Sequence, residues 1–318
     1  MKYEPVEEKL QTAYLCYSSD EKTRYLSTAG GYISTLIKYL FESKTVATAM
    51  TFKRQGIVFE PKLIYTYDAY INMGSIYQDI DILHYLKENI QNIKGKIVLT
   101  LLPCQVNAVK MFLQQHNIDS FIISLVCSAQ MDLSCTEKYL DLINVDAKNI
   151  LNFRYRGKGW PKYISIDLKN GTNISEKKVW NQIFHSYFFH KKRCLKCTDT
   201  FGVKSDLAVS DPWRIEEMKD DTLGKSIVYI FSDNGKEIHK KMINSQILEC
   251  SLLKNERAIN SQLGTLKKKY YIRNSNIFRK FIKLLNNSTY KEFILSHKFF
   301  LWVHTKILNK ILVYITHK

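Results

Sequence analysis

KIVLTLLPCQVNAVKMFLQQHNIDSFIISLVC, residues 96–127, reads as strand, helix, strand. KIVLTLL (96–102) and SFIISLVC (120–127) are short, nearly unbroken apolar runs, the pattern of strands buried on both faces. CQVNAVKMFLQQH (104–116) between them is helical and follows Pro103, a residue favoured at a first helical position. Two such strands joined through a helix predict a parallel pair. Working outward, TAYLCY (12–17), VATAMTF (46–52) and LIYTYD (63–68) read as strands. GYISTLIKYLFES (31–43) and DIDILHYLKENI (79–90) read as helices, the first with Ile33, Leu36, Ile37 and Leu40 at helical spacing. The expected fold is α/β, with a mixed, largely parallel sheet and flanking helices.

The second half is expected to be richer in β structure. ILNFRYRGKGWPKYISIDLKNG (150–171) is hairpin-like, with Gly157, Gly159 and Pro161 as breakers. EKKVWNQIFHSYFFHK (176–191) reads as a helix, and DLAVSD (206–211) and KSIVYIFSD (225–233) read as strands. A short helix begins near Gly235, and a basic helical tail closes the chain. The expected divisions are an N-terminal α/β domain over 1–145, a second domain over 146–250 and the tail over 251–318.

The chain has 318 residues, of which 45% are hydrophobic and 24% charged, the balance of a soluble globular protein. Its net charge is +17. From Lys267 onward there are twelve Lys or Arg against one acid, Glu292. Such a tail is either a solvated helical face or a contact for a membrane surface or an acidic partner. Nucleic acid is not expected, because no nucleic-acid motif accompanies the charge. MKYEPVEEKLQTAY lacks the apolar core of a signal peptide. FFLWVHTKILNKILVYI (299–315) carries His304, Lys306 and Lys310, so it reads as an amphipathic helix rather than a span. The expected location is the cytoplasm, peripheral at the inner face of the membrane. Seven cysteines there are expected not to form a disulfide framework.

CLKC (194–197) puts two thiols at C-x-x-C spacing. Such a pair can be part of a metal site, a redox dithiol or structural. A zinc ribbon needs a second C-x-x-C or a His pair, and His185 and His190 lie on one helix without a matching pair. A cubane 4Fe-4S cluster needs four thiolates, which distant loops can supply. Cys104 and Cys127 follow the two apolar strands, where ligands collect in α/β sheets. With Cys194 and Cys197 they make four. Cys135 could substitute for Cys127 on spacing alone. Cys16 and Cys250 lie in apolar strand-like runs and are expected to be buried structural thiols.

RYLSTAGGYISTLIKYL (24–40) places Ser27, Thr28, Gly30 and Gly31 before a helix. That is either a plain helix cap or a phosphate cradle. FRYRGKGW (153–160) brings Arg154, Arg156 and Trp160 into a short span. Arg suits phosphate and Trp suits a flat ring, unless the segment is only a solvated hairpin.

Taken in order, STAGG (27–31), GSIY (74–77), LLPCQ (101–105), SLVC (124–127), FRYRGKGW, CLKC and DLAVSDPW (206–213) resemble the beta subunit family of coenzyme F420 hydrogenases and dehydrogenases. DDTLGKSIVYIFSDNGKE (220–237) is similar to that family's closing segment. The resemblance implies a flavin- and iron–sulfur-dependent oxidoreductase. It assigns Cys104, Cys127, Cys194 and Cys197 to a 4Fe-4S cluster, and STAGG and the Arg/Trp segment to FAD. It implies a short form without the family's N-terminal ferredoxin-like segment, so electrons come from a separate donor such as ferredoxin or a small reduced cofactor. It also implies a reductive step in cell-surface polysaccharide assembly. Ala29, Leu101, Leu102 and Ser210 depart from the family pattern and bear on a deazaflavin substrate rather than on the thiols. The alternative expectation is a non-catalytic scaffold, stabilised by a cluster or by zinc, that docks through its tail.

Overall fold

The computed structural model describes residues 5–161 and 163–316. The first four residues of the N-terminal stretch, Lys162 and the last two residues of the basic tail lie outside the described residues.

The strand–helix–strand core forms as expected. β1 (Thr12–Ser18), β2 (Thr48–Gln55), β3 (Val58–Ile64), β4 (Ile97–Leu101) and β5 (Ser120–Leu125) come from the first half of the chain. β6 (Ile150–Arg154), β7 (Ile164–Leu168) and β8 (Asn173–Glu176) follow, then β9 (Leu207–Ser210), β10 (Ser226–Ile230) and β11 (Leu248–Leu253). Eight of them form one sheet in the order β11-β1-β10-β9-β5-β4-β2-β3, and β6-β7-β8 form a second, antiparallel sheet. The large sheet is mixed. Its centre, β2-β4-β5-β9, is parallel, and the pairs outside it are antiparallel. It draws strands from both sides of the boundary expected near residue 145.

The first helices are α1 (Val6–Lys9), α2 (Glu21–Leu26), α3 (Tyr32–Glu42), α4 (Ile82–Glu88), α5 (Pro103–Gln115) and α6 (Leu133–Leu142). The later ones are α7 (Lys178–Phe184), α8 (Asp233–Asn244), α9 (Asn255–Ser261), α10 (Leu263–Asn274), α11 (Asn276–Leu285), α12 (Ser288–Leu295) and α13 (Lys298–Thr316). Helix α5 starts where the sequence places it. Pro103 is its first residue, and the Gln105 side chain accepts the Leu102 N–H at 3.0 Å. On one face of the sheet α3 and α8 bury Leu36, Leu40, Ile238 and Met242 against Val98, Ile123 and Val228. On the other, α4 and α5 bury Leu86, Val109 and Leu113 against Leu99 and Ile122.

Two expectations are corrected. The third strand runs over 58–64 rather than 63–68. It pairs only with β2 at the sheet margin, so it tolerates Pro61 in its middle. Cys16 and Cys250 are not separate thiols. They sit opposite each other in the β1–β11 register and are joined as a disulfide.

The tail is helical as expected, but it is packed onto the body. Ile272, Phe278, Ile282 and Leu308 form a cluster with Tyr187, next to the C-x-x-C turn. No helix among the described residues is long and apolar enough to cross a membrane. Helix α13 is amphipathic: Leu301, His304 and Leu308 are buried, while Phe299, Trp302 and Ile307 are exposed.

Candidate functional site

The parallel strands β4, β5 and β9 end at one rim, and Cys104, Cys127, Cys194 and Cys197 gather there. Cys104 is the second residue of α5, and Cys127 lies two residues beyond β5. Cys194 and Cys197 lie in and after a short 3-10 turn, Lys192–Lys196. This loop is tied across the strand ends. The Cys127 N–H donates to the Thr200 carbonyl at 3.0 Å. The Asp199 carboxylate accepts the N–H groups of Phe201 and Gly202 at 3.0 and 2.7 Å. Gly202, at φ +72°, presses so close to Ser124 that an added Cβ would meet its Oγ at 2.2 Å. A residue with a side chain cannot bring the loop this near the sheet.

The four thiols feel one another. Burial pushes the Cys127 thiol up to about 12; Lys269 opposes the rise, and Cys194, Cys104 and Cys197 add to it. Cations face the thiols from two sides. Lys269 of α10 donates to the Cys197 sulfur at 3.3 Å and to the Cys127 carbonyl at 2.6 Å. Arg193 pairs with Asp79, and its charge is felt by the Cys104 thiol. Cys135 is elsewhere, fully buried in the core formed by α6, β6 and β7, beside the Met131 sulfur.

Beside the thiols lies a cavity of about 730 Å³, and Cys127 is part of its wall. This is within the usual range for an organic ligand, roughly 300–1,000 Å³. Ser27, Thr28 and Gly31 line it, together with the first turn of α3. Gly31 is that helix's N-cap, at φ +80°, so the N-terminus of α3 opens onto the cavity. Gly30 sits behind, packed on the backbone of Lys225 and Ser226. Asn72 donates to the Ser27 hydroxyl at 2.7 Å, and the Ser75 N–H donates to the Thr28 hydroxyl at 2.9 Å.

The Arg/Trp segment divides its labour. Arg154 is buried and spends its donors on the carbonyls of Leu26 and Asn72, at 2.5 and 2.8 Å, clamping two cavity loops together. Arg156 lines the cavity and donates to Asp211 at 2.7 Å. Burial alone would weaken its hold on a proton, but Asp211 and Tyr77 more than offset this, so the guanidinium stays charged. It lies over the rings of Trp160 and Trp213. Trp160 is buried in the core, and Trp213, tilted against it with ring centroids 5.0 Å apart, faces the cavity.

Sequence patterns alone do not single out Trp213, Tyr77, Asp211 or Lys269. Trp213 and Tyr77 end the DLAVSDPW and GSIY motifs, so a signal for them is there. Lys269 is hidden among the tail's other lysines. Trp180 and His185 also line the cavity. Burial pushes the His185 pKa down to about 4, so its imidazole is neutral.

Residues 94–256 match the family described as the C terminus of the coenzyme F420 hydrogenase/dehydrogenase beta subunit. Among solved structures, the fold is similar to a chain in the F420-reducing NiFe hydrogenase complex from Methanosarcina barkeri, studied by xenon derivatization. The TM-score is 0.61 at 16% identity, covering 84% of this chain and 94% of that one.

Proposed function

Because the chain belongs to the coenzyme F420 hydrogenase/dehydrogenase beta subunit family, we propose that it is a redox protein that holds a cubane iron–sulfur cluster on Cys104, Cys127, Cys194 and Cys197 and FAD in the adjoining cavity. The observation that carries this reading is the position of Cys127. It stands among the other three thiols and also forms part of the cavity wall. Four thiols suit a cubane cluster, and the cations Lys269 and Arg193 suit a group of net negative charge. When bound, the cluster supplies single-electron transfer and the flavin exchanges one-electron for two-electron chemistry.

The protein's own residues position and neutralise. In this reading the N-terminus of α3 and the cation Arg156, which both border the cavity, receive phosphate oxygens. Trp213 offers a flat face, and the neutral imidazole of His185 offers a donor or acceptor to the organic substrate. Arg154 ties the two loops of the cradle together through the carbonyls of Leu26 and Asn72.

The donor is proposed to be an acidic electron-transfer protein of the ferredoxin type. Cys104 is exposed, and Lys192, Arg193, Lys196 and Lys204 form a basic rim around the cysteine loop. A separate surface serves a second role in this reading. On α13, exposed Phe299, Trp302 and Ile307 alternate with exposed Lys306 and Lys310, which suits contact with an anionic membrane surface. Equal flotation on anionic liposomes with and without residues 267–318 would remove that role.

The first experiment is anaerobic purification followed by a visible spectrum and iron, sulfide, zinc and flavin assays on one sample. The expected result is about four iron and four sulfide per chain, with flavin bands. Colourless protein carrying zinc at the four thiols would overturn the reading. A cluster that persists without flavin after incubation with FAD would leave a non-catalytic scaffold in its place.

A further inference from the structure

A second cluster of donors lies where β1 and β11, the first and last strands of the large sheet, meet. Cys16 of β1 and Cys250 of β11 are direct cross-strand partners, and His239 of α8 stands over them. One ligand atom from each residue lies within 4.8 Å of the other two. His239 is 1% exposed. Its Nδ1 meets the Tyr32 hydroxyl at 2.9 Å, and the Tyr14 ring packs on it at 4.3 Å between centroids. Its Nε2 is buried and has no hydrogen-bond partner among the described residues. Leaving a buried nitrogen unpaired is costly, so a further partner is expected at this atom.

We propose that in the reduced protein Cys16, Cys250 and His239 Nε2 form a binding site for a thiophilic divalent ion of the zinc type, and that the disulfide is the metal-free, oxidised form of the same pair. Two thiolates and an imidazole are a zinc donor set. Tyr32 at Nδ1 is the outer partner that orients a ligating histidine. Cys250 is only partly buried and lies on a marginal strand, which gives an ion its entry and leaves a fourth position to water. The chemistry balances. A dithiol reductant of the thioredoxin class gives two electrons and two protons to the disulfide, forming two thiols and its own disulfide. Zinc then displaces the two thiol protons, and no electron passes to or from the metal. The site does not depend on the four-thiol centre or on flavin.

The test uses the full-length protein, purified anaerobically, treated with a phosphine reductant, equilibrated with zinc ions and freed of excess metal. His239→Gln, His239→Ala and the double variant Cys16→Ser/Cys250→Ser are treated alike. Wild type should carry about one zinc per chain more than each variant, with iron and sulfide unchanged, and should lose that zinc on oxidation with diamide. Peptide-mapped alkylation of wild type reads the same site without any substitution: zinc should protect Cys16 and Cys250 together. The proposal is overturned if zinc content is equal in all four proteins. It is also overturned if zinc leaves Cys16 and Cys250 unprotected, or if zinc loss only follows iron loss, which would place the metal at the four-thiol centre.

Discussion

Lys269, in the tail, holds its ammonium nitrogen 3.3 Å from the sulfur of Cys197, a residue of the C-x-x-C turn. The tail is thus part of the site. A positive charge there favours the more negative, reduced state of a bound cluster. Lys269→Met should lower the cluster's reduction potential by about 59 mV or more, a tenfold change for one electron. Lys269→Arg should restore most of it. Spectroelectrochemical titration, with iron content measured alongside, checks both; an unchanged potential in the Met variant would remove the tail's electrostatic role.

Gly202 lets the cysteine loop lie against β5. Gly202→Ala adds a Cβ that collides with Ser124 at a backbone angle of φ +72°. The variant should lose about 1–3 kcal/mol of stability, and its iron content should fall because the loop carries Cys197. Urea denaturation and iron assay measure the two effects on one preparation.

Asp79 gives a pH signature. Burial alone would raise its pKa, but Arg193 and then Lys191 more than offset this and hold the carboxylate below its usual range. The depressed value means that this contribution is present above the unfolded pKa of about 3.9 and is lost as pH falls through the lower folded value. Asp79→Asn should cost about 1 kcal/mol at pH 7, since Arg193 is half exposed. The gap to wild type should close in acid. A gap that does not narrow as pH falls below about 3.9 would show that geometry, not charge, makes the link.

Arg156 and Asp211 are a largely buried pair, with 12% and 19% of their side chains exposed. Asp211→Asn alone should cost about 3–5 kcal/mol, because it strands a buried cation. Arg156→Met combined with Asp211→Leu should regain most of that stability yet still bind flavin poorly. Thermal melting and flavin content separate the structural role of the pair from its binding role.

Cys135 and Cys127 compete as ligands on sequence spacing alone. Cys135 is fully buried in the core beside Met131 and does not reach the other thiols. Cys135→Ala should keep iron and sulfide at wild-type levels, whereas Cys127→Ala should lose the cluster's visible absorbance. Loss of iron in both would contradict the assignment.

The legible parts of this molecule are those where local pattern and tertiary role agree. β4, α5 and β5 are of that kind: two strands buried on both faces and a helix with Pro at its start announce themselves. Sequence pattern displaces β3 because a marginal strand can carry Pro61, which in a central strand would be excluded. The Cys16–Cys250 pair is invisible in the sequence because its members lie 234 residues apart and only the β1–β11 register brings them together. Charge counting finds the basic tail, but counting cannot tell which lysine turns inward. Lys269 is 5% exposed, while Lys306 and Lys310 face solvent. Trp160 and Trp213 each close a motif with an indole, and only packing decides which one reaches the cavity.

The placement of β1 has a consequence for how the chain matures. Both neighbours of this strand, β10 and β11, lie more than two hundred residues downstream. During synthesis β1 therefore waits without a partner until nearly the whole sheet has left the ribosome. Cys104 and Cys127 are made long before Cys194 and Cys197, so the rim that gathers all four closes only late. Long-range pairing of this kind slows folding and prolongs the exposure of unpaired strand edges. The last-made strands act as the lock on the first-made one, and nascent chains that stall before residue 226 should be prime clients for chaperones.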